Sequence, residues 1–249
     1  MKRLILHIGL EKTGSTSLQA SLARSEAKLL ENRIFCGSPF GPRHSFLTYL
    51  YAAQKRKLDV SKPTFITEER DSSFLMNFVL KESSGRKEGE EFTLILTDEC
   101  LSSRLEEPEI RIMHEDLYRI FDDVFVLIFL RPPEKYAVSL YSEAIKAGCF
   151  KDIYEWLDRF DYINLDWEEL LAPWKTVFGQ NRVVAKNLTN NVISDFENVF
   201  FTITRQRLRL QEGARRNRSC SRNSLILFRI FNKHARFFGI KTNSIILRV

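Results

Sequence analysis

The chain has 249 residues, 44% hydrophobic and 28% charged, which is ordinary for a soluble protein and enough for one large α/β domain. Its longest apolar run, 124–130, is too short to span a membrane, and the run after Met1 is too short for a secretory signal core. The four cysteines are scattered without a C-x-x-C pair. This pattern argues against a structural zinc site or a disulfide framework and favours a cytoplasmic location.

Apolar runs and helical periodicity predict alternating strands and helices. In chain order, they are a strand at 4–8, helices at 15–32 and 44–57, a strand at 92–97, a helix at 110–121, a strand at 124–130, a helix at 132–146, a helix at 167–177, a strand at 182–185 and a helix at 222–238. The strands at 92–97 and 124–130 are almost wholly apolar, as strands covered on both faces are. The pattern predicts a three-layer α/β/α fold with a central, mostly parallel sheet, like that of P-loop nucleotide enzymes, in a single domain, 1–249.

Positive charge is concentrated near the C-terminus, in a predicted basic helical segment at about 203–249. This segment contains 12 Lys and Arg residues and one acid, Glu212, whereas the whole chain has a net charge of +6. A segment of this kind is typical of contact with an anionic partner, such as a nucleotide, an acidic glycan or a membrane surface. It is equally typical of a solvated helix face, so both interpretations stay open.

The stretch HIGLEKTGSTSLQ, residues 7–19, follows the first strand and opens the first helix. Gly9 and Gly14 have the spacing of a nucleotide-triphosphate loop, G-x-x-x-x-G-K-[ST], and Thr16 has the hydroxyl position. The lysine position, however, is Ser15, and the loop's lysine is Lys12. The backbone amides can still surround an anion at the helix N-terminus. The loop therefore predicts binding of phosphate or an anion of similar shape, without the lysine that Mg-ATP enzymes use.

This stretch closely resembles the 5′-phosphosulfate loop of bacterial-type sulfotransferases, which often reads H-I-G-x-x-K-T-G-T-T-S-L-Q. The resemblance covers roughly the first 150 residues well, and it implies a sulfotransferase-like domain that uses 3′-phosphoadenosine 5′-phosphosulfate as co-substrate and no metal. It assigns the 5′-phosphate and the sulfuryl group to one set of loop residues. These are Lys12, Thr13, Gly14, Ser15, Thr16 and Ser17.

A second motif follows the strand at 124–130. Arg131 and Ser139, eight residues apart, resemble the 3′-phosphate motif of sulfotransferases. An arginine leaving a buried strand and a hydroxyl two turns into the next helix can converge on one phosphate. The alternatives are a surface ion pair for Arg131 and an indifferent helical position for Ser139.

The third motif is the acidic pair Asp98-Glu99 after the strand at 92–97. By resemblance to sulfotransferases, Glu99 is the leading candidate for the base that removes the acceptor's proton, with His44 in reserve. The pair also resembles the magnesium-binding acids of P-loop ATPases, and it could instead cap the next helix. The glycine-rich C-terminal donor loop of cytosolic sulfotransferases is missing, and Arg215, Arg216, Asn217 and Arg218 are the candidates to replace it.

Together these motifs predict an enzyme that moves a sulfuryl group to a hydroxyl or amine of an acceptor such as a carbohydrate or small metabolite. Catalysis is assigned to Lys12, Glu99 and His44, and no nucleic-acid partner or integral membrane segment is expected. The alternatives are a P-loop kinase or NTPase, and a nucleotide- or glycan-binding protein without activity.

Overall fold

A computed structural model describes residues 1–36, 46–52, 91–158, 165–213 and 221–237. Within these residues five parallel strands form one sheet in the order β2-β3-β1-β4-β5. The strands are β1 (Lys2–His7), β2 (Ile34–Phe35), β3 (Phe92–Thr97), β4 (Asp123–Leu130) and β5 (Val183–Asn187). The predicted α/β fold with a parallel sheet is therefore confirmed. The short edge strand β2 was not predicted, since two apolar residues give no periodic signal.

Ten helices are described. They are α1 (Ser15–Arg24), α2 (Glu26–Glu31), α3 (Phe46–Tyr51), α4 (Leu101–Arg104), α5 (Glu107–Tyr118), α6 (Pro133–Lys146), α7 (Ile153–Leu157), α8 (Trp167–Phe178), α9 (Val192–Thr204) and α10 (Arg222–Phe237). The predicted helices at 110–121, 132–146, 167–177 and 222–238 are confirmed within a few residues. Of the predicted helix at 44–57, α3 accounts for the part that the structure describes.

The predicted helix at 15–32 is wrong in one respect, because it is two helices that meet at Ser25. The amide of Ser25 still donates to the carbonyls of Ser21 and Leu22, and its φ of −94° and ψ of 1° end α1. Its hydroxyl accepts from the amide of Gln211, 2.8 Å away. A long-range hydrogen bond therefore fixes the break, and no local periodicity could have signalled it.

The sheet is covered on both faces. One face packs Ile5, Ile95 and Phe129 against α1, α2 and α9 in a continuous apolar cluster. On the other face, α5 and α8 pack against β4 and against each other. Side chains of alternating strand residues point to opposite faces, so each apolar strand serves both layers.

Helix α9 is absent from the sequence prediction. Asn191 caps it, because its side-chain oxygen accepts from the amides of Ile193 and Ser194. Phe196 and Phe200 are fully buried in the cluster shared with α1. Residues 193, 196 and 200 have helical spacing and Asn191 is a favoured cap, so the signal was present. The β-branched and aromatic composition of the segment obscured it.

The chain divides into two compact units, 1–130 with 167–214, and 131–166 with 215–249. The first contains the whole sheet, and the second contains α6, α7 and α10. The single domain 1–249 stays a prediction. Among the described helices, none is both long enough and apolar enough to cross a membrane.

Candidate functional site

The sheet order places two predicted motifs at neighbouring strand ends. The chain passes from central β1 to β2 on one side, and from β3 to β4 on the other side of β1. The connections therefore reverse direction between β1 and β3, and ligands of open α/β sheets bind outside such a switch point. His7 and Thr97 are partners in the register of β1 and β3. Hence the loop after His7 and the acidic pair after Thr97 leave the sheet side by side.

The loop after β1 has an unusual backbone. Gly9, Lys12 and Gly14 all have positive φ, at 61°, 66° and 92°. Lysine rarely adopts this left-handed conformation, which costs roughly 1–2 kcal/mol for an ordinary residue. Turns that alternate in this way direct successive amides inward and form concave anion sites. Lys12 therefore contributes to the curvature of the loop through its backbone and to its charge through its side chain.

The two glycines permit close contacts. A Cβ at Gly9 would overlap the Cα of Glu99, so only glycine lets the loop lie against the acidic pair. A Cβ at Gly14 would lie 3.0 Å from the Cγ1 of Val192, at the start of α9. The structure thus brings the loop, Glu99 and the N-terminus of α9 together.

Hydrogen bonds inside the loop show which polar groups hold the loop together and which could bind an anion. Thr13 donates to the carbonyl of Leu10 through its hydroxyl at 2.5 Å and its amide at 3.3 Å. The carbonyl of Gly14 accepts from the amides of Ser17 and Leu18 at 2.9 and 3.1 Å. The hydroxyl proton of Thr13 thus closes the loop, and its predicted contact with the nucleotide stays a prediction. Ser17 is exposed.

The start of α1 offers donors without helical acceptors. The amides of Ser15 and Thr16 lie in its first turn, where an α-helix has no carbonyl four residues back. Gly14, the N-cap residue, has no side chain to satisfy them. The hydroxyl of Ser15 is buried, at 2% exposure, without a hydrogen-bond partner in the described part of the chain. These groups are suited to an anion at the positive end of the helix dipole.

More unsatisfied polar atoms lie beneath the same loop. Gln19, one turn after Ser15 on the buried side of α1, has a side-chain oxygen without a partner among the described residues. His7 lies on the same sheet face as Ile5, with its ring 5.6 Å from that of Phe129, and the described residues leave both ring nitrogens unpartnered. Burial lowers the pKa of His7 to about 4, so its ring is neutral at pH 7. Few buried polar atoms in folded proteins lack partners, and their grouping here marks a place for a polar ligand or ordered water.

The acidic pair divides into two roles. Asp98 is buried, and its carboxylate accepts from the amide and hydroxyl of Thr48, both at 2.8 Å, and from the amide of Cys100 at 3.1 Å. It thus holds α3 and the turn before α4, but it does not cap α4, whose N-cap residue is Cys100. Glu99 is half-buried and lies against Gly9. Of the two acidic residues, Glu99 is the one whose Cα and Cβ lie beside Gly9 in the loop.

The thiol next to this pair is not a nucleophile at neutral pH. Burial, together with the nearby charges of Asp98, Glu11 and Glu99, raises the pKa of Cys100 to about 12. Since the thiolate is the reactive form, Cys100 stays inert. No cluster of three or more metal-ligating side chains occurs in the parts of the chain that the structure describes.

The pKa of Asp98 leads to a stability prediction. Burial raises it from 3.8 to about 6, against the opposing effect of the hydrogen bonds from Thr48 and Cys100. Between these values the folded state keeps a proton that the unfolded state has lost, so stability falls as pH rises. Asp98→Asn has no titrating group at this position, so its unfolding free energy should not show this fall with pH. In the wild type the fall is about 3 kcal/mol, because each unit of the pKa shift corresponds to about 1.4 kcal/mol. Urea unfolding of both proteins from pH 4 to 7 measures the difference. Parallel profiles would contradict the assignment.

The second compact unit begins with the other motif. Arg131 follows β4 directly, and Ser139 lies in the second turn of α6, both half-buried. Burial lowers the pKa of the Arg131 guanidinium. Their eight-residue spacing spans the strand end and two helical turns, as the sequence predicted. Their shared role in phosphate binding stays a prediction.

Two predicted groups lie outside the described residues. They are the reserve base His44 and the basic set Arg215, Arg216, Asn217 and Arg218. Helix α9 is the element of the site that sequence reasoning missed.

No protein-family model and no curated protein matches the chain. A solved structure of a sulfotransferase from Alicyclobacillus acidocaldarius is similar to it, with 15% sequence identity and a TM-score of 0.47. The similarity covers 96% of this chain and 81% of that one.

Proposed function

We propose that this protein is a sulfotransferase that moves a sulfuryl group from 3′-phosphoadenosine 5′-phosphosulfate to a hydroxyl or amine of an acceptor such as a carbohydrate. The observation that carries the proposal is the loop between β1 and α1. Three positive φ angles curl it, and Glu99 lies against Gly9. Among the described residues the buried Ser15 hydroxyl has no hydrogen-bond partner, and the first amides of α1 have no helical acceptor. This combination supports an anion site beside Glu99.

Two features favour sulfuryl transfer over magnesium-dependent phosphoryl transfer. The position of the nucleotide-triphosphate lysine is taken by Ser15, which has no positive charge to place on a β- or γ-phosphate. Asp98, one of the two carboxylates that could hold magnesium, already accepts three hydrogen bonds from Thr48 and Cys100. The positive charge instead comes from Lys12, inside the loop.

The proposed reaction assigns one step to these groups. The acceptor oxygen forms a bond to sulfur while the bond between sulfur and the bridging oxygen of the 5′-phosphate breaks. The electron pair of that bond stays on the phosphate oxygen, where Lys12 and the amides of Ser15 and Thr16 stabilise the developing charge. Glu99 takes the proton from the acceptor hydroxyl. The products are the sulfated acceptor and 3′-phosphoadenosine 5′-phosphate.

The 3′-phosphate is assigned to Arg131 and Ser139, which supports a specific prediction. Arg131→Ala should weaken binding of 3′-phosphoadenosine 5′-phosphate by about 1.5–3 kcal/mol, the cost of losing a hydrogen bond to a charged group. Binding of AMP should barely change, because AMP has no 3′-phosphate. Lys135→Ala, on an exposed residue of the same helix, is the control. An equal loss of affinity for both nucleotides would remove this role from Arg131.

Turnover tests the function as a whole. Incubation with the sulfate donor and a panel of carbohydrate acceptors should release 3′-phosphoadenosine 5′-phosphate, and EDTA should leave the rate unchanged. Transfer from ATP that EDTA abolishes would instead identify a kinase. Nucleotide binding without any turnover would identify a binding protein.

A further inference from the structure

Helix α10 is attached to the second unit by one side. The most buried residues on this side are Asn232 and Ala235, at 1% and 4% exposure, and Leu225 and Phe228 are half-buried there. The side-chain amide of Asn232 donates to the carbonyls of Ile145 and Cys149, 2.8 and 2.9 Å away, at the end of α6. A guanidinium–ring contact, Arg236 over Phe150 at 4.8 Å, adds to this side. The contact face of α10 therefore combines polar and apolar side chains.

The opposite face of α10 is apolar and exposed. Of the twelve large hydrophobic side chains exposed among the described residues, five belong to this helix. They are Ile226 (42% exposed), Leu227 (67%), Ile230 (47%), Phe231 (42%) and Phe237 (84%). Their spacings of three, four and seven residues place them on one stripe of the helix. A helix of a globular protein normally buries such a stripe, whereas α10 exposes it.

Basic side chains flank this stripe. Arg222 and Lys233 are exposed on the edge of the helix next to the apolar stripe. Arg229 and Arg236 continue this edge toward the contact side, where Arg229 bonds to Tyr141 and Arg236 lies over Phe150. The described helix contains no acidic residue. Across 214–249 the sequence has nine Lys and Arg and no Asp or Glu. The helix thus combines an exposed apolar stripe with a positive edge.

We propose that this stripe and its basic edge dock on an anionic lipid surface. A basic amphipathic helix lies in a membrane interface with its apolar side chains among the acyl chains and its cations near the headgroups. At 16 residues, α10 is about 24 Å long at 1.5 Å per residue, which is enough for such contact. A second copy of the chain fits less well, because a symmetric pair would bring two basic edges together with no acid on either helix.

Vesicle sedimentation tests this docking. The protein should bind vesicles containing about 30% phosphatidylserine and bind pure phosphatidylcholine much more weakly, because each basic residue near an anionic surface adds to the attraction. Leu227→Glu with Ile230→Glu should weaken binding at least about tenfold. The matched control is Val138→Glu with Tyr154→Glu, at exposed apolar positions elsewhere in the unit, and it should bind as the wild type does.

A second pair of variants tests the basic edge without changing the apolar stripe. Arg222→Gln with Lys233→Gln should weaken binding and its dependence on salt, whereas Lys135→Gln with Lys151→Gln should not. Equal vesicle binding by the wild type and the stripe variant would overturn the proposal. So would a wild-type dimer without vesicle affinity that the stripe variant converts to monomers, since the stripe would then be a self-interface. None of these readouts depends on sulfuryl transfer.

Discussion

Glu99→Gln is expected to lower turnover by about 10²–10⁴-fold, the usual cost of losing a general base, while nucleotide affinity stays nearly unchanged. Glutamine keeps the shape of the side chain but cannot take the acceptor's proton. Glu99 lies against Gly9 at the loop, whereas the neighbouring Asp98 is engaged in holding Thr48 and Cys100. Initial rates together with calorimetric titration of 3′-phosphoadenosine 5′-phosphate separate the two effects.

The control for this variant is Glu91→Gln. Glu91 precedes the same strand at its opposite end, where its side chain is 74% exposed and pairs with the chain's amino group. It should leave turnover unchanged. If activity survives Glu99→Gln but collapses in His44→Ala, the base is His44 instead.

Lys12→Ala is expected to lower kcat by about 10²–10³-fold, the range found when one preorganised charge-stabilising donor is removed. Affinity for the desulfated product should fall much less, because Lys12 is assigned to the charge that develops as the sulfuryl group leaves. Steady-state kinetics and product binding measured on the same preparation provide the comparison. A large loss of product affinity with kcat preserved would make Lys12 an anchor only.

Lys12→Gly separates the chemistry from the fold. Lys12 has a φ of 66°, which glycine adopts without steric cost, so the loop should keep its shape and the protein its stability. The loss in kcat should match that of Lys12→Ala. Lys28→Ala, on the exposed side of α2, is the control for the removal of positive charge and should retain activity.

The parts of the fold that could be predicted are those that local patterns determine. Strands such as Phe92–Thr97 are apolar throughout because helices cover both faces of the sheet. The spacing of the glycines in the first loop reflects the positive φ angles of its backbone. What could not be predicted depends on contacts distant in sequence. The Ser25 break depends on Gln211, and the role of Asp98 depends on Thr48, fifty residues away. Thr13 likewise needed the structure to show that its hydroxyl closes the loop.

The same distinction applies to the acidic pair. From sequence, Glu99 was the leading candidate for the base, whereas magnesium binding and a helix cap stayed open for either residue. The register of β1 and β3 sets Glu99 beside Gly9, and the position of α3 engages Asp98. The partners of Asp98 could be found only from the tertiary structure, because Thr48 is distant in sequence.

The most direct measurement is calorimetric titration of the wild-type protein with 3′-phosphoadenosine 5′-phosphate, AMP and Mg-ATP in one buffer. If Arg131 and Ser139 hold a 3′-phosphate while the loop holds the 5′-phosphate, the bisphosphate should bind about 10- to 100-fold more tightly than AMP, as an added charged hydrogen bond implies. Mg-ATP should bind no better than AMP. Equal affinities for AMP and the bisphosphate, or tightest binding of Mg-ATP, would contradict the sulfotransferase assignment.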